Sequence, residues 1–333
     1  MARYYRADLA RNQAVSTEIT GYTLSALWYL AELMQDNRYL PAALAAARFL
    51  SRRAWDGHSM PFETDPSAEG VFTYFFDCGI IVRGLLAAWR TTREQEFLDV
   101  AVLLGQSMAV DFAAPDGDYH PILKLPEKRP VERDPWRWSR SAGCYQLKAA
   151  LAWWDLHEAT GDAGFRQLYE RAQRDALRGY GAFLPGHSDS LKVVDRLHPF
   201  LYFLEGLLPA AGDHRCAAVL CDGIRRVACH LGENAAVFER SDVYAQLLRV
   251  RIFADWAGAA SLDVDAARHE AATLAGFQAA DPDPRIDGGF YFGRKNGSWL
   301  PYLNPVSTAF GLQALALWEQ HSARAPANWR LLI

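Results

Sequence analysis

Two kinds of helix take turns along this chain, and that alternation restricts the fold more than any other feature. One kind is apolar on nearly every side: GYTLSALWYLAEL (21–33), CGIIVRGLLAAW (78–89), AGCYQLKAALAWW (142–154), PFLYFLEGLLPA (199–210), VYAQLLRVRIFADW (243–256) and PVSTAFGLQALALW (305–318). A helix with no polar face has to be enclosed by other helices. The other kind carries one charged face, at 41–55, 96–112, 164–180, 214–231 and 265–279, and has to face water. β-branched alternating runs are scarce, so the chain reads as helix almost throughout. Enclosed and outward helices alternating at a period of roughly 45–65 residues form an internal repeat of helical hairpins. An open solenoid would have a shorter period, about 34–47 residues, and would expose both helices of each pair. A closed ring of six inner helices within an outer ring accounts for the enclosure, which makes the expected fold all-α. No Gly/Ser linker or charge run divides the chain, so residues 1–333 are expected to form a single domain.

Charge and composition remove several function classes. A net charge of -4 with 22% charged residues gives no basic field for nucleic acid. Every apolar run is broken by charge before the ~18 residues that a membrane span needs, and MARYYRADLARNQ has no apolar signal core. The expectation is a cytoplasmic protein with no membrane partner. The five cysteines, Cys78, Cys144, Cys216, Cys221 and Cys229, form no CxxC pair and lie in apolar helical stretches. They read as small buried hydrophobes in a reducing compartment, and no metal or cofactor is expected.

The connectors are as asymmetric as the helices. Those leaving an inner helix are short and polar (MQDNRY, RTTREQ, ATGDAG), whereas those entering one are long and rich in Gly, Pro and aromatics. Long loops gathered on one end of a helical scaffold usually carry function. In a closed ring the polar residues opening each inner helix converge on its mouth: Ser16, Thr17 and Glu18; Asp77; Ser139, Arg140 and Ser141; Asp195, Arg196 and His198; Ser241 and Asp242; Asn304, Ser307 and Thr308. Helix capping explains the Ser, Thr and Asn positions equally well. Glu18, Asp77 and Asp242 precede enclosed helices and are candidate catalytic groups as well as caps. The helix dipole should lower the pKa of Asp77 or Asp242, as a base or nucleophile requires, and aromatic neighbours such as Tyr74, Phe75 and Phe76 should raise it.

Glu205 lies in the middle of an enclosed helix, where a carboxylate needs a partner or a raised pKa. It is either the partner of a buried arginine, Arg83 or Arg249, or a proton donor. Arg83, Lys148, Arg249 and Arg251 read as a buried ion-pair network. Aromatics make up 13% of the chain, with 11 Trp and 14 Tyr. Trp28, Trp89, Trp153, Trp154, Trp256 and Trp318 fall in helices and belong to the core, whereas Trp136, Trp138, Trp299, Tyr119, Tyr291 and Tyr302 fall in the mouth loops, where a ring can stack on a pyranose face. Arg140, Tyr145, His198, Tyr202 and Asn304 complete the candidate substrate-binding set. The charged loop 124–140 is either a salt-bridged flap or a lid that attracts an anionic sugar.

This pattern resembles the six-hairpin glycosidase-like superfamily, with its (α/α)6 barrel, over residues 16–321. The stretch GGFYFGRKNGSWLPYLNPVSTAFGLQALALW is its most family-like part and looks like the last hairpin of carbohydrate-active members. It also resembles the GGFxGR repeat of prenyltransferase and terpene-cyclase toroids, but GGF occurs once, and neither DxDD nor DDxxD nor a zinc-ligand spacing is present. The resemblance implies a glycoside hydrolase acting on an oligosaccharide, uronic-acid-containing ones included, by general acid/base catalysis from Asp77, Asp242, Glu18 or Glu205. The alternatives are a sugar epimerase or uronate lyase using His198 or Tyr202 with Arg140, a non-catalytic toroid that binds glycan or protein, and an isoprenoid-binding toroid. The expected partner is a small-molecule or oligosaccharide substrate, and the oligomeric state stays open.

Overall fold

Apolar helices that need enclosure and amphipathic helices that supply it pair off along the chain in a computed structural model describing residues 1–65, 70–184, 190–321, 330 and 332–333. These fall into two compact units, Met1–Arg3 with Ala14–Gly179, and Tyr4–Gln13 with Tyr180–Ile333. Positions 66–69 and 185–189, which the sequence assigns to long connectors, lie outside the described residues.

In the first unit, α1 (Thr17–Met34), α3 (Phe75–Thr92) and α5 (Leu147–Thr160) are the enclosed helices, with α3 packed against both others. Phe75 through Leu86 of α3 are buried without a break. The outward helices α2 (Leu40–Phe49), α4 (Gln95–Val110) and α6 (Ala163–Gly179) each pack on the enclosed helix before them, and α2 continues through a π-helical turn, Leu50–Ala54. In the second unit the enclosed helices are α7 (Ser190–Leu207), α9 (Ser241–Trp256) and α11 (Pro305–Gln320), with α9 packed against α7 and α11. Outward α8 (His214–Asn234) and α10 (Val264–Ala275) pack on α7 and α9. The inner and outer assignments made from periodicity hold at every one of these helices.

Close approach of the inner helices depends on small residues. A Cβ at Gly79 of α3 would lie 2.6 Å from the Ala149 Cα of α5 and closer still to its carbonyl oxygen. Gly79→Ala is therefore expected to destabilise the fold by about 1–3 kcal/mol through overpacking, outweighing the roughly 1 kcal/mol that alanine gains in a helix. Gly232→Ala on α8, where nothing lies within 4 Å, should be neutral or stabilising. Urea denaturation of the two variants checks the contrast.

Three local expectations are corrected. Pro199 does not open its helix but sits inside α7, which starts at Ser190, so His198 lies more than two turns in rather than at the helix start. Packing against α8 and α9 carries the helix through the proline's missing N–H. Ser139, Arg140 and Ser141 open no helix, since α5 begins at Leu147 after the 3-10 turns Trp138–Arg140 and Cys144–Gln146. Cys221 and Cys229 are exposed, because α8 buries one face and these two positions fall on the other.

The entering loops are also more ordered than the scarcity of strand signals suggests. Among the described residues they form small antiparallel three-stranded sheets. Val71–Tyr74 pairs with Ile122–Leu125, which pairs with Arg129–Pro130. Phe238–Arg240 pairs with Gly293–Lys295, which pairs with Ser298–Trp299. Tyr5–Arg6 lies between Arg11–Asn12 and Tyr302–Leu303. Strands Val71–Tyr74 and Phe238–Arg240 run directly into α3 and α9, so the sheets fix where the first-turn side chains of those helices point.

Candidate functional site

In the first unit the Ser16 hydroxyl caps α1 by accepting from the Ile19 N–H at 3.3 Å, which sets Glu18 in the first turn. The strand ending at Tyr74 sets Asp77 in the first turn of α3. Burial pushes Glu18 up to about 7, against the opposing pull of the Arg3 guanidinium. Burial, reinforced by the charge of Glu18, holds Asp77 well above the usual carboxylate range. For Asp77, then, burial and the neighbouring acid outweigh the helix dipole, and a lowered pKa there is not found. Asp77 Oδ2 is buried with no hydrogen-bond partner among the described residues. Asp77 is therefore held protonated at neutral pH, with Glu18 titrating across it.

A cavity of the same unit has neither acid in its lining. Tyr74, whose phenol burial and Asp77 push up to about 12, lines it together with Phe62, Glu63, Ile122, Val131 and Arg140. Arg3 lies 3.6 Å from Glu63 and over the Phe62 ring at 5.0 Å. No pattern pointed to Arg3, which lies outside the helical periodicity.

Glu18 gives a pH signature. A carboxyl whose pKa is raised on folding stabilises the fold fully below its unfolded value, near 4.5, and that contribution is lost as pH rises through about 7. Stability should fall across this window at up to about 1.4 kcal/mol per pH unit from this group. Glu18→Gln should flatten the fall, which urea midpoints at pH 5, 6, 7 and 8 will record.

In the second unit Asp242, in the first turn of α9, receives two bonds from Arg240, Nε to Oδ1 at 3.0 Å and Nη2 to Oδ2 at 2.6 Å. Burial pushes Asp242 up, but Arg240 and His198 outweigh it and hold the carboxyl below its ordinary value, so it is ionised. His198 Nδ1 lies 2.6 Å from Gln246 Oε1 and 3.3 Å from Asp242 Oδ2. Both neighbours are acceptors, which places the ring hydrogen on Nδ1 and leaves Nε2 its lone pair. Nε2 has no hydrogen-bond partner among the described residues. Burial, against the opposing charge of Asp242, lowers the His198 pKa to about 4, so the ring is neutral. Tyr202 meets the imidazole edge-on at 4.3 Å. Gln246 Nε2 and Ser307 Oγ are buried without hydrogen-bond partners among the described residues. Gln246 and Arg240 escaped the sequence reading, although Gln246 had a signal, a polar residue four positions after Asp242 on an enclosed helix.

The remaining candidates fall as follows. Glu205 and Arg249, both fully buried, form an ion pair, and Arg249 also donates to Gln313 Oε1 at 2.9 Å and lies 3.9 Å from the Phe310 ring centre. Arg83 and Arg251 pair with Asp155 and Glu270. Tyr145 is buried, donates to the Ser141 carbonyl at 2.9 Å and packs edge-on to Trp138. Trp136 is exposed. Trp299 is stacked on Tyr291 with centroids 5.3 Å apart, and Tyr302 meets Tyr4 edge-on. Asn304 caps α11 by accepting from the Val306 N–H. Ser241 is not the cap of α9, a place taken by Arg240; its hydroxyl donates instead to the Tyr291 carbonyl at 2.7 Å. In loop 124–140, Lys128 pairs with Asp111 and Arg133 with Asp116, the salt-bridged alternative for that segment.

No family model and no curated protein matches the sequence. Solved structures do match. Cellobiose 2-epimerase from Bacillus thermoamylovorans B4167 superposes with a TM-score of 0.72 at 12% identity, covering 96% of this chain and 92% of that one. A D-mannose isomerase matches with a TM-score of 0.64 at 10% identity (95% and 90% covered), and an α-amylase from Clostridium perfringens with 0.61 at 9% (95% and 89%). At such identities the shared property is the fold, the (α/α)6 barrel of the six-hairpin type, and all three neighbours are carbohydrate-processing enzymes.

Proposed function

We propose that this six-hairpin chain is a carbohydrate-active enzyme that moves a proton at a sugar carbon, an epimerase or aldose–ketose isomerase, with His198 as its acid/base group. One observation carries the reading: a neutral imidazole pinned through Nδ1 by Gln246 and the ionised Asp242, with Nε2 unpartnered. The Nε2 lone pair would take the proton from C2 of an open-chain aldose, leaving an enediolate. Asp242 would stabilise the imidazolium through its Nδ1 hydrogen, as a carboxylate does in other His-dependent enzymes. Returning the proton to C1, with the O2 hydroxyl proton passing to O1, gives the ketose, and returning it to C2 on the other face gives the epimer. An isomerisation needs only this one base. The epimerase and isomerase among the structural neighbours agree with this chemistry.

A second reading, glycosidic cleavage, has its own support. Burial and mutual charge hold Asp77, with Glu18 as its neighbouring acid, protonated at neutral pH, as a general acid for a leaving sugar requires. Incubating the protein with cellobiose, mannose and glucuronate-containing oligosaccharides in deuterated water separates the two. Deuterium at C2 or C1 of recovered sugar supports the first. New reducing ends without exchange support the second, and binding without either reaction supports a non-catalytic toroid.

A further inference from the structure

The cavity of the first unit encloses about 160 Å³, the space of about five waters and so room for one sugar residue. Two of its lining groups are hydrogen-bond donors with nothing to bond. The Arg140 guanidinium is half-buried and has no ion-pair or hydrogen-bond partner among the described residues. The Tyr74 hydroxyl likewise has none, and the two side chains are close enough for the charge of Arg140 to act on the phenol. The acids of the lining do not neutralise Arg140. Glu63 is paired with Arg3 at 3.6 Å, and Asp65 is exposed, where water screens it. A half-buried guanidinium without a counter-ion among the described residues, beside a neutral phenol O–H, is a receptor for an oxyanion. The apolar part of the wall includes Phe62, tilted against the Tyr74 ring at 4.9 Å, with Val71, Phe72, Ile122 and Val131, which suits the apolar face of a pyranose.

We propose that this cavity is a recognition subsite for an acidic sugar, a uronic acid residue, whose carboxylate is held by Arg140 and Tyr74. The planar guanidinium offers two parallel N–H groups to the two carboxylate oxygens, and the phenol adds a third donor. The assignment rests on the carbohydrate reading above and narrows it to substrates bearing a carboxylate.

The test is equilibrium binding of D-glucuronate, D-glucose and D-glucose 6-phosphate, by calorimetry or tryptophan fluorescence, to the wild-type protein and to Arg140→Gln, Arg140→Lys and Tyr74→Phe. Wild type should bind glucuronate at least 10-fold more tightly than glucose. Arg140→Gln should erase that ratio, Arg140→Lys should keep part of it, and Tyr74→Phe should reduce it several-fold. Circular dichroism of each variant separates lost recognition from lost folding. Equal wild-type affinity for glucuronate and glucose, or an unchanged ratio in a folded Arg140→Gln protein, overturns the proposal. Glucose 6-phosphate binding more tightly than glucuronate overturns the carboxylate assignment. The same titrations on His198→Asn keep the two claims apart. A glucuronate preference without solvent exchange into any sugar sinks the proton-transfer reading alone, and exchange without the preference sinks the subsite alone.

Discussion

His198→Asn is expected to lower kcat for sugar interconversion by about 10²–10⁴-fold while KM changes little, because the variant keeps a polar side chain of similar reach but removes the only group proposed to carry the proton. Solvent deuterium exchange into the sugar should fall in parallel with turnover. Asp242→Asn should cost a comparable factor by another route. The ring would lose the negative charge that favours the imidazolium, and the amide could donate to Nδ1 and move the hydrogen to Nε2. If His198→Asn turns over substrate within twofold of wild type, the proton is moved elsewhere, and the Glu18–Asp77 pair becomes the group to dissect.

Arg249→Leu is expected to cost about 3–5 kcal/mol of stability, the largest single effect on folding predicted for the molecule. The reason is asymmetry. Glu205 is fully buried, and removing Arg249 takes away a fully buried cation paired with it, so a buried carboxylate loses part of its compensation or must take up a proton. The double replacement Glu205→Leu with Arg249→Met should recover most of the loss, since a buried ion pair stabilises little relative to well-packed apolar side chains. Urea midpoints and thermal melts of the single and double variants check both statements. A single variant as stable as wild type would mean that the pair contributes nothing to folding.

The helices were legible because enclosure leaves a mark on every residue. Along α9 the residues Ser241 to Val250 are all buried, and a helix of that kind has no polar stripe to misread. Their boundaries were less legible. Pro199 looks like a helix start by local rules, yet tertiary packing carries α7 through it, which shifts His198 from the helix entrance to its interior. The site was legible as a set of residue types and not as a set of states. Glu18, Asp77 and Asp242 occupy equivalent first-turn positions, but Asp242 has Arg240 beside it and is ionised, whereas Asp77 has an unpartnered oxygen and a second acid nearby and is not. Arg240 lies only two positions before Asp242 and was a local signal that went unread, whereas the state of Asp77 depends on Glu18, 59 positions away, which no spacing rule carries. Arg3 was illegible for the same reason: its link to Glu63 spans 60 positions with no helical or strand period between them.

The sheet joining Val71–Tyr74 to Ile122–Leu125 welds the loop before α3 to the loop before α5, and the cavity wall is built on that weld. Its outer edge is the turn at 126–128, anchored by Lys128 to Asp111 and to the His58 carbonyl. The contacts that close α1 on α3 and α3 on α5 lie instead in the helices, at Gly21, Gly84 and Gly79. Wall and scaffold are thus separate territories of the sequence. Lineages of this fold can lengthen or rewrite the hairpin and exchange one ligand for another without renegotiating stability, so related chains should diverge fastest at 122–131 and slowest along the glycine seams.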